Sequence, residues 1–273
     1  MTPQTLPLAH ITEHPLIRLR RSLRTAIWLG WQIESNWTDP FVFAIYSIIR
    51  PVSSALILVV MYNIITDGNT AAPIFTYLFL GQAFYQYVGA VVAGVSWAVI
   101  DDREHYQMLR FIYIAPIFSP AYLIGRGATR FLTGTIGVTI TLLFGVLFLN
   151  VRLAPLAEID WGLFALSMGL GLVGLIAMGM ILAGATLMLR SHAMFLGEAV
   201  AGALYLFSGA IFPLEVLPEV LRPIGFALPL TYWLELVRRA LLGEGAAAFP
   251  TLAGFTTLEV IGLLAAITAL YSL

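Results

Sequence analysis

Residues 161–189 read WGLFALSMGLGLVGLIAMGMILAGATLML, 29 residues without a charge. A helix needs about 20 mostly apolar residues to cross a bilayer, so this run is long enough to span one. Working outward, five more apolar runs flank it, at residues 41–65, 75–100, 121–149, 193–212 and 251–271. None alternates with period two over the roughly ten residues that a barrel strand requires, so an outer-membrane barrel is not the pattern. Composition agrees: 60% of the 273 residues are hydrophobic and 11% are charged, with a mean hydropathy of +0.91. A soluble domain carries about a quarter charged residues, and a soluble fold of this length could not hide so much apolar surface. The expected fold is an all-α membrane protein with six transmembrane helices, forming one transmembrane domain over residues 39–273.

Residues 1–38 make up the N-terminal remainder. Residues 1–15 are polar and hold Pro3, Pro7 and Pro15, and no small-residue cleavage site follows the short apolar patch Ala26–Ile33, so a signal peptide is not expected. From 16 to 38, Leu16, Leu19, Leu23, Ile27 and Trp31 recur at steps of three or four. They predict one apolar face of an amphipathic helix, with Arg18, Arg21 and Arg24 mostly opposite and Arg20 intruding. A basic amphipathic helix carrying Trp28 and Trp31 fits a membrane interface.

At the other end of the chain, residues 213–250 are broken by Pro213, Pro218, Pro223 and Pro229. They predict short re-entrant helices between spans 5 and 6, which a bilayer tolerates only where protein or water satisfies the freed backbone. Arginine counting sets the orientation. With the N-terminus in the cytoplasm, nine arginines lie inside (18, 20, 21, 24, 103, 110, 126, 130 and 190) and four outside (152, 222, 238 and 239), with Arg50 within span 1.

Absences exclude several functions. All 14 basic residues are Arg. Without Lys there is no Walker A loop and no Schiff base. Without Cys there is no disulfide, thiolate nucleophile or cysteine-held cluster. His10, His14, His105 and His192 lack metal-ligand spacing, and no nucleophile elbow occurs. A net charge of −1 gives no reason to expect a nucleic-acid partner. Residues 169–174, Gly-Leu-Gly-Leu-Val-Gly, match a dinucleotide fingerprint in letters only, because no strand precedes them. Small residues that let membrane helices pack closely explain them better.

Ionisable residues inside spans are candidate pathway groups. Arg50 lies about 15 Å along its helix from Pro40, Glu198 about 9 Å from His192, and Glu259 about 12 Å from Thr251. Arg50 and Glu198 could therefore pair, or Arg50 could snorkel to the headgroups.

The segment between spans 2 and 3 reads DDREHYQMLRFIYIAPIFSPAYLIGR, residues 101–126. Asp101 and Asp102 can cap a helix. Met108, Leu109, Phe111 and Ile112 then form an apolar patch, ended by Pro116 and Pro120. A short amphipathic helix and a loop lying on headgroups fit this periodicity equally.

Two stretches carry a family resemblance. In the first, Asp102, Arg103, Glu104, Leu109, Pro116 and Leu123-Ile124-Gly125-Arg126 resemble the coupling region of type-2 ABC exporter permeases. His105-Tyr106 stand where a Gly-Thr pair is common. In the second, residues 208–243, Ser208, Gly209, Phe212, Pro213, Leu217, Pro218, Pro229 and Arg238 resemble the signature after span 5 of that family. The resemblance implies two permeases, copies or paralogues, working with two nucleotide-binding ATPase subunits in the bacterial inner membrane. This chain would bind no cofactor; ATP and Mg would sit on the partner. Asp101, Asp102, Arg103, Glu104, His105, Met108, Leu109, Arg110 and Phe111, with Arg190 and His192, would contact the ATPase. The cargo would be a drug, a lipid or a lipid-linked glycan or polysaccharide. The alternative is an ATP-independent channel or secondary transporter using Arg50, Glu198 and Glu259.

Overall fold

Proline opens four of the helices, because its missing N–H is unneeded in a first turn. The computed structural model describes residues 15–36, 40–65, 73–108, 111, 114, 119–149, 151, 153–155, 157–189, 193–243, 252 and 254–273. Helices α1 (Pro15–Asn36), α2 (Pro40–Ile65) and α3 (Pro73–Tyr87) each begin at a proline. A π-helical stretch, Val88–Ala93, joins α3 without a break to α4 (Gly94–Glu104). Next come α5 (Ser119–Phe148), α6 (Trp161–Met188) and α7 (Ala193–Phe207). A 3-10 turn, Leu214–Val216, leads to α8 (Arg222–Phe226), α9 (Pro229–Leu242) and α10 (Thr257–Ser272).

Three segments are long and apolar enough to cross a membrane: Ile74–Glu104, Ala121–Phe148 and Trp161–Met188. Ile48–Ile64, Phe195–Phe207 and Thr257–Ser272 are shorter apolar helices. Together these cover the six expected runs, and no strand occurs among the described residues. The chain is an all-α, multi-pass membrane protein.

Burial separates the centre of the bundle from its edge. An apolar 18-residue stretch of Ile74–Glu104 is 72% buried inside the chain, whereas one of Ala121–Phe148 is 22% buried. The central segment α3–α4 is flanked by α5, α6, α7 and α9. Close approach comes from glycines on α6. A Cβ on Gly171 would lie 2.2 Å from the Trp233 indole nitrogen, and one on Gly174 would lie 3.1 Å from Thr268 Oγ1. Trp233 in turn meets Phe84 and Tyr87 edge-on at 6.2 and 5.8 Å. Gly171 and Gly174 therefore pack helices, whereas Gly169 faces open space.

Three boundaries differ from the sequence expectation. Span 5 stops at Phe207, five residues before Phe212, and Gly209 follows in a left-handed conformation (φ +71°). Span 6 starts at Thr257, where Thr256 caps it, and not at Thr251. Span 2 runs four residues past Ile100, so the acidic pair ends a helix. Among the described side chains of α1, Ser22, Ala26 and Gly30 are buried, while Leu19 and Trp31 are exposed. Small side chains lie where α1 presses on the α5 backbone, with Leu29 packed beside them against Ala26 and Tyr122.

The proline-broken region is a set of short helices. α9 has 14 residues, about 21 Å, which is too short to cross a 30 Å core. It is packed inside the chain: Pro229 to Arg238 are all buried. One end of the bundle gathers the start of α3, the loop before α6 and the end of α9. Ala154 and Asp160 donate backbone hydrogen bonds to Leu241 and Ala240 there, at 3.1 and 3.2 Å.

Candidate functional site

At the opposite end, α4 finishes on Asp101-Asp102-Arg103-Glu104. Three carboxylates at a helix C-terminus oppose the helix dipole, so they need compensation. Asp102 is fully buried, and its Oδ2 accepts 2.7 Å from the Tyr122 hydroxyl. Its Oδ1 faces the Arg126 guanidinium at 4.0 Å, with both side chains buried. That spacing is Coulombic contact and not a hydrogen bond, so Oδ1, Nη1 and Nη2 have no hydrogen-bond partner. Asp101 Oδ1 lies 3.4 Å from His105 Nδ1. Asp101 and Asp102 thus tie α4 to His105 and to α5. They do not cap a new helix, as their position before an apolar patch had suggested.

Arg103 joins this end to α6. Its Nη1 donates to the Thr186 and Leu189 carbonyls at 3.3 and 3.1 Å, and Nη2 donates to Glu104 Oε1 at 2.7 Å. Those carbonyls belong to the last turn of α6 and its cap, where a cation is favoured. Arg190 and His192, the next residues but for Ser191, lie outside the described residues.

Beyond α4 the chain reverses. Gln107 takes φ +48°, and the Met108 N–H bonds back to the Asp102 carbonyl at 2.8 Å. Met108 packs against the cluster of Ala26 of α1 and Tyr122 of α5, which Leu29 and Leu123 also flank. It is an internal anchor and not part of a free apolar patch. Phe111 and Ile114 are helical and 57% and 80% exposed. Leu109, Arg110, Ile112 and Pro116 lie outside the described residues.

The second resemblance maps onto a charge cluster at the far end. Arg238 is buried. Its Nη2 donates to the Gly209 and Ala210 carbonyls at 3.0 and 3.1 Å, and its Nε donates to the Tyr77 carbonyl at 3.2 Å. The guanidinium also lies 3.7 Å from the Tyr77 ring centroid. Glu235 accepts 3.3 Å from the Tyr77 hydroxyl and 3.0 Å from Arg239 Nε. Arg239 reaches on to the Leu252 and Phe255 carbonyls, both at 3.1 Å. Arg238 therefore satisfies backbone that the chain frees after α7, as re-entrant structure requires. Ser208 is buried beside this turn, Phe212 is half-buried, Pro213 opens the 3-10 turn and Pro218 begins the approach to α8.

Among the described residues, no hydrogen bond or ion pair joins Arg50, Glu198 and Glu259 to one another. Arg50 and Glu198 are exposed, on α2 and α7, and no ion pair joins them. Glu259 stands in the first turn of α10, where Oε2 accepts from the Thr256 N–H and hydroxyl at 2.7 and 3.0 Å. It completes a capping box and is not a deep intramembrane charge. The polar seam within the bundle is neutral. Gln82 donates to Ser54 of α2 and accepts from Tyr205 of α7, Tyr85 donates to the Ala201 carbonyl, and Gln86 donates to Thr141 Oγ1 at 2.7 Å.

Reading for charge missed this seam, although Gln82 and Gln86, one turn apart inside an apolar run, were visible in the sequence. It also missed Glu235, whose spacing of three and four to Arg238 and Arg239 marks one helical face. Among the described residues, no three His, Cys, Asp or Glu side chains gather as metal ligands.

Two comparisons with known proteins bear on these sites. The family profile described as ABC-2 type transporter matches residues 23–242, which takes in both charge clusters. No curated protein matches the chain.

Proposed function

Because this chain belongs to the ABC-2 type transporter family, we propose that it is the membrane permease subunit of an ATP-driven exporter. ATP and Mg are bound and hydrolysed on a separate nucleotide-binding subunit, and a second permease, copy or paralogue, completes the pathway. The chain sits in the bacterial inner membrane with its N-terminus in the cytoplasm. It carries a drug, a lipid or a lipid-linked glycan or polysaccharide outward.

The observation that supports coupling is the segment 101–111. Its first part is anchored three ways: Asp102 to Tyr122 and Arg126, Arg103 to the end of α6, and Met108 against α1. Its far part presents Phe111 outward. A segment fixed to three helices and exposing an aromatic ring suits a lever that a partner pushes. The permease does no covalent chemistry. Force on Phe111 reaches α4, α5 and α6 together, and the two access states need only differ in their contacts with the ATPase.

Anchors carry affinity and rim charges tune association. Leu109→Asp or Phe111→Asp should detach the ATPase while the chain still inserts, and Arg110→Ala should be milder. Copurification of the ATPase from the host membrane, with ATPase activity of the complex, reads this. Full retention of subunit and transport in both Asp variants would reject the segment as the contact. The permease reading is preferred to a channel because, among the described residues, no ion pair joins Arg50 and Glu198 and Glu259 is part of a helix cap.

A further inference from the structure

α2 and α7 each carry one charge, Arg50 and Glu198, in otherwise uncharged apolar helices. Both side chains are exposed on this chain, and among the described residues neither has a hydrogen bond or ion pair. A charge that faces lipid is costly, so each calls for a partner.

Packing within the chain sets their relative depth. Gln82 of α3 bonds to both Ser54 of α2 and Tyr205 of α7, which puts these three residues at one level. Further along α3 and its π-helical extension, the neighbours come earlier in both helices. A Cβ on Gly137 would lie 3.0 Å from Gln86 Oε1 and 3.7 Å from Pro51 Cγ, and one on Gly197 would lie 3.9 Å from the Ala93 Cβ. α2 and α7 therefore both run antiparallel to α3 and parallel to each other. Arg50 lies one turn before Ser54 and Glu198 two turns before Tyr205, about 6 and 10 Å in the same direction. Side chains lean toward a helix N-terminus, which carries the longer arginine toward the level of the glutamate. On α2, Arg50, Ser53 and Ile57 share one exposed face, as do Glu198, Gly202 and Leu206 on α7. A Cβ on Gly202 would meet nothing within 4 Å, and a small residue there lets a second backbone come close.

We propose that a second copy of this chain covers this surface, with Arg50 of each copy paired to the partner's Glu198. Two copies inserted the same way in a bilayer are related by a two-fold axis along the membrane normal. Every residue then keeps its depth, and the contact forms twice. One chain supplies both halves of the contact, the cation on α2 and the carboxylate on α7, so charge complementarity selects an identical copy over a paralogue. This contact presupposes the reading above that two permeases build the pathway.

The test coexpresses two differently tagged full-length copies and measures how much of the second tag stays on the first in neutral detergent. Arg50→Glu in both copies, or Glu198→Arg in both, sets like charges against each other twice and should weaken association at least about ten-fold. An Arg50→Glu copy mixed with a Glu198→Arg copy should associate nearly as the native chains do. One contact then joins the two replaced residues and the other the two native ones, each of opposite charge. A pair closed within one chain would show no such rescue. Because the chain has no native Cys, a Ser53→Cys copy and a Gly202→Cys copy should also form a disulfide that joins the two tags. Native-strength association of both uniform variants, or cross-linking without rescue in the mixed sample, would overturn the pair. A native chain that never binds its own copy, yet copurifies with an ATPase and a different permease, would overturn it and leave the exporter reading standing. Self-association with rescue but no ATPase in the host membrane complex would uphold the pair and remove the exporter reading.

Discussion

Arg238 lies buried in a membrane protein without a carboxylate of its own. Three backbone carbonyls and the face of Tyr77 spread its charge, and a desolvated cation over an aromatic ring is worth about 2 kcal/mol. The arrangement depends on Gly81. A Cβ there would stand 2.0 Å from the Ala210 oxygen and 2.1 Å from Arg238 Nη2. Gly81→Ala should therefore destabilise by roughly 1–3 kcal/mol, as overpacking does. Gly262→Ala, on a helix face with nothing within 4 Å, should be neutral or slightly stabilising. Thermal unfolding of the purified protein separates the two; equal midpoints would mean the close approach at Gly81 does not exist. The Asp102–Arg126 pair follows the opposite logic, because each partner is costly without the other. Asp102→Ala alone should cost about 3–5 kcal/mol, and Asp102→Leu/Arg126→Leu should recover part of that. Strictly additive losses in the same unfolding assay would mean the two charges do not interact.

Among the elements, α10 gives the sharpest contrast between a structural and a transport role for a carboxylate. Glutamine serves as well as glutamate at the third position of a capping box. Glu259→Gln should leave both stability and transport close to native, whereas Thr256→Ala should cost about 1 kcal/mol of stability. Abolished transport in Glu259→Gln would return the residue to the pathway. Glu259 also shows what was legible in the sequence. The apolar runs were, because length and lack of charge alone make a spanning helix. Helix starts were less so: counting depth from Thr251 placed Glu259 mid-membrane, while Thr256 caps the real start. Counting also fixes only how far along a helix a residue lies, not which way it points, and so it put Arg50 and Glu198 within reach of each other. α9 was illegible as a core helix, since Glu235, Arg238 and Arg239 look like a solvated face until their partners on α3 and after α7 are known. On α1 the large side chains mark an apolar face, but the residues buried in the bundle are the small Ser22, Ala26 and Gly30, which apolarity alone does not single out.

For the whole molecule, the arginine count becomes cleaner once structure is added. Two of the four arginines assigned outside, Arg238 and Arg239, are spent on internal carbonyls and Glu235. The cation excess at the other end therefore stands more nearly unopposed, which favours a cytoplasmic N-terminus. The chain lacks native Cys, so single cysteines report topology without background. Glu158→Cys, exposed in the loop before α6, should react with an impermeant reagent in intact cells. Glu104→Cys, exposed at the end of α4, should react only after lysis. The reverse pattern would invert the molecule. The segment Ile74–Glu104 has 31 residues, about 46 Å of helix, and its π-helical stretch Val88–Ala93 sits near the middle. A π turn holds one residue more than an α turn. In mechanical language the central rod carries a spare thread. Winding that residue out would turn the Asp101–Glu104 end through about 100° and advance it about 1.5 Å relative to Tyr77, with no loop needing to lengthen. The end that turns is the one bolted to α6 through Arg103 and to α5 through Asp102, so a twist in the rod becomes a displacement of both neighbours.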